Sequence, residues 1–194
     1  MYSNNRNSAA QRASDLLAAR PVYLDTETTG LGGWDEIVEM CILDYDGTPL
    51  VNTLVKPTQR IPQEVVRIHG ITDDMVSEAP AWPEVWPQVQ AALHGRQVGI
   101  YNADFDLRMM AQSHRRHSLG WQDPSMQVFC IMRLYAEYYG GGRYGGGRWQ
   151  SLESAGSQCR ISLPNAHRAL ADTLLARAVL HHMADQPAGP HNEF

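Results

Sequence analysis

Two acidic residues, Asp25 and Glu27, lie two positions apart in the run Val22 to Leu31 (VYLDTETTGL). The β-branched Val22, Thr26 and Thr28, followed by Gly30, Gly32 and Gly33, predict a strand that ends abruptly in a turn. Side chains alternate along a strand, so both carboxylates face one side, roughly 6–7 Å apart. Two acids on one face of an apolar strand repel each other and lose hydration. Raised pKa values, Arg or Lys partners, or bound cations must offset that cost. From this run alone, a metal site and a salt-bridged structural pair both stand.

Two further carboxylates sit where acids need an explanation. Asp106 falls in the first turn of a helix predicted to follow the short strand Gln97 to Tyr101, with Asn102 as its N-cap. Asp172 lies on the last predicted helix, which opens at Asn165 and whose Leu170, Leu174, Leu175, Ala178 and Val179 make it largely core. A buried, unpaired acid there would cost several kcal/mol, so Asp172 needs a cation or hydrogen-bond partners. His167 stands five residues earlier. Within a helix that spacing separates side chains by roughly 140°. His167 therefore belongs at the loop-to-helix junction, free to reach over a site that Asp172 lines.

The elements that must position these residues follow in order. Residues 8–20 read as a short amphipathic helix ahead of the opening strand, forming with the start of the chain an N-terminal extension, 1–20. Glu36 to Tyr45 and Thr48 to Lys56 are strand-like runs joined by Asp46-Gly47, a hairpin signal, so the first three strands are expected to be antiparallel neighbours. Pro62 to His69 reads as a helix closed by Gly70, and Thr72 caps another turn. Trp82, Val85, Trp86, Val89 and Leu93 mark an amphipathic helix, its tryptophans read as core in preference to a base-stacking platform.

Asn102 to about Leu119 is a helix, Met126 to Cys130 a fifth strand running into a helix through Tyr139, and Ser151 to Cys159 another helix. Strand-helix-strand alternation here implies parallel pairing. The fold class is α/β, a mixed five-stranded sheet flanked by helices, with one main domain over 21–185. Residues 140–148, Gly-Gly-Gly-Arg-Tyr-Gly-Gly-Gly-Arg, form a low-complexity loop. It reads either as a mobile surface loop or as an arm whose Arg143, Tyr144 and Arg148 touch a nucleic-acid strand. Residues 186–194 read as a flexible tail.

Composition bounds these readings. At 194 residues with 43% hydrophobic content the chain can bury a sizeable core. No apolar run spans a membrane, and Arg6, Arg12, Asp15 and Arg20 interrupt any signal-like start. Cys41, Cys130 and Cys159 are odd in number and lack a CxxC pair, which disfavours a disulfide framework or structural zinc and suits a cytoplasmic setting. The net charge of −5 argues at first against nucleic acid. Two divalent ions held by four carboxylates would lift it to about −1 and place positive charge where a phosphate would sit. The basic residues are Arg, save for Lys56. Arg suits bidentate phosphate contacts, but genome composition explains the skew equally well.

Asp25-Thr-Glu27-Thr-Thr-Gly30-Leu31, Asn102-Ala-Asp-Phe105-Asp106 and His167-Arg-Ala-Leu-Ala-Asp172 together resemble the three ordered motifs of the DEDDh 3′-to-5′ exonuclease family. That family includes the proofreading epsilon subunit of bacterial DNA polymerase III, RNase T, oligoribonuclease and exonuclease X. The resemblance covers about residues 21–184, including His69-Gly70-Ile71-Thr72. It implies a ribonuclease H-like fold and two Mg²⁺ or Mn²⁺ ions held by Asp25, Glu27, Asp106 and Asp172, with Asp25 bridging. His167 would be the general base, and the product a 5′-nucleoside monophosphate. The chemistry suits the residue types: hard cations take carboxylate oxygen, and two ions about 4 Å apart stabilise both attacking and leaving oxygens of a phosphoryl displacement. An imidazole titrating near ~6.5 can take a proton from water at neutral pH.

By the same resemblance, the Thr28, Gly30 and Leu31 turn and His69 would contact the terminal nucleotide, Glu64 its 3′ hydroxyl, and Asn102 would help position the strand. Glu64 also reads as a solvated helix residue, and His69 as a helix-terminal histidine favoured by the dipole. Asp73, Asp74, Asp104 and Asp123 read as turn or helix-terminal acids, and His114, His117, His181 and His182 as surface or packing residues. Tyr101 departs from the His that many relatives place before the Asn. The leading expectation is a metal-dependent exonuclease acting on single-stranded 3′ ends, DNA ahead of RNA, with a DNA polymerase or repair complex as possible protein partner and no membrane. An RNA- or oligoribonucleotide-trimming enzyme is the alternative within enzymes. A non-catalytic nucleic-acid- or polymerase-binding module is the alternative outside them, though such a module should have lost ligands.

Overall fold

The strand that carries Asp25 and Glu27, β1 (Val22–Thr28), is the middle strand of a five-stranded sheet in the computed structural model, which describes residues 2–121, 123–140, 148–161 and 167–185. On one side it pairs antiparallel with β2 (Ile37–Leu43), which pairs antiparallel with β3 (Pro49–Leu54). On the other it pairs parallel with β4 (Gln97–Ile100), which pairs parallel with β5 (Gln127–Cys130). The sheet order is β3-β2-β1-β4-β5, the mixed architecture expected from the sequence. The Asp46-Gly47 turn closes the β2–β3 hairpin, with the Gly47 amide donating to the Asp44 carbonyl at 2.9 Å and Gly47 at φ 93°.

Helices cover both faces. α4 (Trp82–Leu93) and α5 (Ala103–Arg116) bury Trp82, Val85, Val89, Met109 and Met110 against Val22, Leu24, Met40 and Ile42. Trp82 and Trp86 are buried, as read from their spacing. The opposite layer holds α1 (Tyr2–Ala18), α6 (Ile131–Tyr139), α7 (Leu152–Gln158) and α8 (Ala169–Ala184), packed on Tyr23, Cys41 and Leu43. Consecutive residues of β1 thus feed opposite layers, and this parity sends Asp25 and Glu27 to the α8 side. Between β3 and α4 lie α2 (Gln63–His69) and α3 (Asp73–Val76). Gly70 ends α2 at φ 75°, and the Thr72 hydroxyl caps α3 by accepting from the Met75 amide.

Two boundaries differ from the sequence reading. The first helix begins at Tyr2 and not near residue 8, because tertiary contacts recruit a polar stretch without periodicity: Arg6 donates to the Tyr138 hydroxyl at 2.7 Å and lies over its ring. It is no appendage, since Ala9, Ala10 and Ala13 are buried in the core. The last helix begins at Ala169, with Arg168 as its N-cap. Asn165, the expected opening residue, lies outside the described residues, as do residues 141–147 of the glycine-rich loop, with Arg143 and Tyr144, and the tail 186–194. Cys41, Cys130 and Cys159 are free thiols. Among the described residues no helix is long and apolar enough to cross a membrane.

Candidate active site

β1 and β4 run parallel, but the chain leaves them toward opposite edges of the sheet. Their C-terminal ends therefore open into a crevice, the usual ligand position in such sheets. Asp25 and Glu27 lie toward that end of β1, and the ladder with β2 is irregular just beyond Glu27, where the register shifts before Thr28 pairs with Ile37. From the α8 side, Asp172 completes a cluster in which carboxylate oxygens of Asp25, Glu27 and Asp172 all lie within 4.8 Å of one another. Asp106 comes over the edge from the other layer. It is buried, and its carboxylate accepts a 2.8 Å hydrogen bond from the Thr26 hydroxyl, on the opposite face of β1 from Asp25 and Glu27. It stands outside the mutual cluster yet close enough to act on Asp25.

Burial shifts every member upward, and repulsion from the other members adds to it for Asp25 and Glu27. Burial comes first for Asp25, followed by the charges of Asp106, Glu27 and Asp172, and holds its carboxyl well above the ordinary range. Glu27 is pushed up to about 8 by burial and then by Asp172 and Glu39. Burial also raises Asp106, against the pull of the Thr26 hydrogen bond, and Asp172, against that of the His167 amide. None of the four acids is in an ion pair with a Lys, Arg or His among the described residues. The salt-bridged reading of Asp25 and Glu27 therefore fails. An all-carboxylate donor set, half-sheltered from water and without an organic cation, fits hard divalent ions such as Mg²⁺ or Mn²⁺.

His167 sits at the loop-to-helix junction as its spacing implied, with a left-handed φ of 63°. Its amide donates to Asp172 Oδ2 at 3.2 Å, which ties the junction to the cluster. Its exposed imidazole places Nε2 3.1 Å from Glu153 Oε1 on α7, an acid that the sequence did not single out.

A cleft of about 540 Å³ adjoins the acids. It is lined by Glu27, Thr28, Gly30, Leu31, Glu64, His69 and Phe105, among others. Glu27 is common to the cluster and the cleft, so a ligand there meets the carboxylates directly. Most of the expected substrate residues thus converge, but two do so differently from expectation. His69 is buried: its Nδ1 accepts from the Ile71 amide at 2.9 Å, which leaves Nε2 to carry the proton and donate to the Thr28 carbonyl at 3.2 Å. Both nitrogens are spent on bolting α2 to the turn after β1, so the ring offers a ligand only its carbon edge. Asn102 is the N-cap of α5 by position, is exposed, and makes no side-chain capping bond; it does not line this cleft.

Glu39 is the functional residue that the sequence reading passed over. It faces Glu27 across the β1–β2 ladder and is buried. Arg168 grips its carboxylate from Nη2 at 2.6 Å and from Nε at 3.1 Å, and the Ala169 amide donates to Glu39 Oε2 at 2.9 Å. Glu39 therefore caps α8 from a neighbouring strand and fixes the helix end one turn from Asp172. Arg168 offsets part of its charge, though Glu39 still adds to the upward push on Glu27. The signal was present: an acid in the otherwise apolar run Ile37–Leu43 is the feature that drew attention to Asp25 and Glu27.

Two outcomes follow from this geometry. Because the folded acids hold protons that the unfolded chain releases, metal-free protein loses stability as pH rises toward the Glu27 value of about 8. Buried His69 and His114 and half-buried His181 act in the opposite direction below their ordinary 6.5, so the carboxylate effect is read above it. In EDTA the melting temperature should fall between 6.5 and about 8, and added Mg²⁺ or Mn²⁺ should raise it most at the upper end; a flat or rising metal-free profile contradicts the cluster. Glu39→Ala should weaken calorimetric Mn²⁺ affinity by about 10- to 100-fold, with Glu39→Gln, which keeps acceptor geometry for the Ala169 amide, milder. Equal Mn²⁺ affinity in wild type and Glu39→Ala contradicts the positioning role.

Comparison with known proteins agrees with this arrangement. A family profile described as an exonuclease matches residues 22–180. Exonuclease CP81 of Escherichia phage 186 is 40% identical over 183 residues, covering 90% of this chain and 93% of its own. The DNA polymerase III epsilon subunit of Pasteurella multocida is 27% identical over 172 residues, 83% of this chain but 65% of the relative, so the chain spans just under two thirds of that subunit. Among solved structures, exonuclease X in complex with 5′-overhanging duplex DNA superposes with a TM-score of 0.62 at 27% identity, covering 84% of this chain and 89% of that one. The nuclease domain of 3′hExo, a DEDDh member bound to rAMP, superposes with a TM-score of 0.68 at 16% identity over 84% of this chain and 91% of its own, a likeness of fold. With four acids and a histidine in the order and positions of its motifs on a ribonuclease H-like sheet, the chain belongs to the DEDDh exonuclease family.

Proposed function

We propose that the protein is a metal-dependent 3′-to-5′ exonuclease that releases 5′-nucleoside monophosphates from single-stranded DNA ends. The observation that carries this reading is the carboxylate cluster of Asp25, Glu27 and Asp172 opening through Glu27 into a nucleotide-sized cleft. Asp25, Glu27, Asp106 and Asp172 would hold two Mg²⁺ or Mn²⁺ ions. The ions supply positive charge to the scissile phosphate and to both reacting oxygens.

The chain's own residues do the rest. Thr28, Gly30 and Leu31 form the wall against which the terminal nucleotide rests, and Glu64, exposed on the first turn of α2, faces its 3′ hydroxyl. His69 contributes by keeping that wall joined to α2, and Asn102, beside the end of β4, steadies the incoming strand. His167 takes the proton of the attacking water. Its main chain is tied to Asp172, and its ring is steadied by the carboxylate of Glu153, 3.1 Å from Nε2.

DNA as substrate is supported by the likeness to exonuclease X, whose solved complex holds a duplex with a 5′ overhang and hence a recessed 3′ end. A polymerase partner and a cytoplasmic site of action belong to the same reading and rest on the likeness to the epsilon subunit.

The test is a panel of 5′-labelled single-stranded, duplex and mismatched DNA with matched RNA, in Mg²⁺ or Mn²⁺. Laddering from the 3′ end with mononucleotide products, faster on single-stranded DNA than on RNA, is expected; faster RNA degradation makes the enzyme an RNA trimmer. Asp25→Ala and Asp172→Ala, or EDTA, should abolish turnover with the fold retained by circular dichroism. Near wild-type hydrolysis by either variant overturns the metal assignment. His167→Ala should lower turnover by about 10²- to 10⁴-fold while metal binding persists; unchanged turnover removes His167 as the base.

A further inference from the structure

Beside the cleft, the loop between β1 and β2 exposes two large apolar side chains, Leu31 at 77% and Trp34 at 69%. Ile68 of α2, which lines the cleft, is 57% exposed. Of the eight large apolar side chains exposed among the described residues, Leu31 and Ile68 line this cleft, and Trp34 sits in the loop between two of its lining residues, Leu31 and Asp35. Scattered apolar residues need no explanation, but an apolar rim around a concave site marks something that binds there.

The loop holding Trp34 is not slack. Asp35 accepts from the Thr29 hydroxyl at 2.8 Å, the Gly32 amide at 2.6 Å and the Gln59 side chain at 3.2 Å. The same Gln59 amide group also reaches the Trp34 carbonyl at 3.3 Å. From α5, the Gln112 side chain donates to the Gly32 and Asp35 carbonyls at 3.0 Å each. At Gly30 the backbone passes so close to Asp35 that a Cβ would sit 2.7 Å from its Oδ2. Residues on both sides of Trp34 are pinned, while its indole projects into solvent. A rigid backbone presenting an uncovered aromatic has its ordering cost already met before any partner arrives.

We infer that Trp34 is a stacking platform for the base next to the terminal nucleotide, making it a residue that selects strands over mononucleotide esters. This inference rests on the exonuclease reading. Leu31 and Asp35 line the cleft, and Trp34 lies between them in sequence but outside the lining. A strand whose terminal residue fills the cleft must pass its next base over this rim. Every base has a π face, so stacking there requires no particular sequence. Neither phosphate nor sugar recognition is assigned to Trp34, so its removal affects grip on the strand and not the chemical step.

The test compares wild type, Trp34→Ala and Trp34→Phe on two substrates in Mn²⁺: the p-nitrophenyl ester of thymidine 5′-monophosphate, which has no second base, and a single-stranded DNA oligonucleotide. Trp34→Ala should raise KM on the oligonucleotide by about 10-fold, leave its kcat within about 2-fold, and behave as wild type on the ester. Trp34→Phe should recover most of the oligonucleotide KM. Wild-type KM for Trp34→Ala on the oligonucleotide, or an equal loss on both substrates, overturns the platform and leaves the exonuclease reading intact. Failure of the wild-type enzyme to hydrolyse either substrate overturns the exonuclease reading, and the platform with it.

Discussion

The repulsion among Asp25, Glu27, Asp106 and Asp172 is the constraint around which the molecule is arranged. Left to itself each acid would seek water; burial makes each harder to ionise, and the neighbouring cluster carboxylates push Asp25 and Glu27 further. A fold can impose that arrangement only by holding the acids on elements too well packed to yield. β1 is central in the sheet and bonded on both sides, and Val22, Tyr23 and Leu24 ahead of the acids are fully buried. Asp106 is tethered through Thr26 of that strand, and Asp172 rides on a helix whose inner face is core. The strain is confined to one end of the sheet, where a cation would relieve it.

Placing α8 is the harder part of that task, because 144 residues, 28 to 171, lie between Asp172 and Glu27, the nearer of its two partners in the mutual cluster.

 The Glu39–Arg168 pair bridges that distance: it joins the helix start to the strand opposite Glu27, and the Ala169 amide adds a backbone bond to the same carboxylate. A buried ion pair is seldom a strong source of stability. Here it also sets a position and offsets part of a charge that would otherwise press harder on Glu27. His69 does similar work on the cleft side, where its two nitrogens join α2 to the turn after β1. The acidic net charge of −5 is no bar to a nucleic-acid substrate once four of the acids are concentrated in a site that takes up cations.

Much of this was legible in the residues. Strand parity placed Asp25 and Glu27 on one face, the apolar periodicity around Trp82 and Trp86 marked them as core, and Asp46-Gly47 marked the hairpin. The five-residue gap from His167 to Asp172 put the histidine off the helix, where its φ of 63° now lies. Other features were hidden because they depend on partners distant in the chain. The first turns of α1 form through Arg6 and Tyr138, which no local periodicity encodes. Glu39 reads as one more acid until Arg168 is beside it.

Local chemistry therefore determined the class of the protein: which residues are acidic, which elements carry them, and that their burial needs cations or partners. Strand and helix periods are properties of the backbone and are written at short range. Only the tertiary structure decided how the acids divide, with three close enough to share an ion and the fourth held by Thr26, and how the cleft meets them at Glu27. It also decided that Trp34 stands uncovered on a pinned loop while Trp82 is buried. Distances of a few ångströms between residues far apart in sequence follow from how whole layers pack, and no short stretch of chain contains that information.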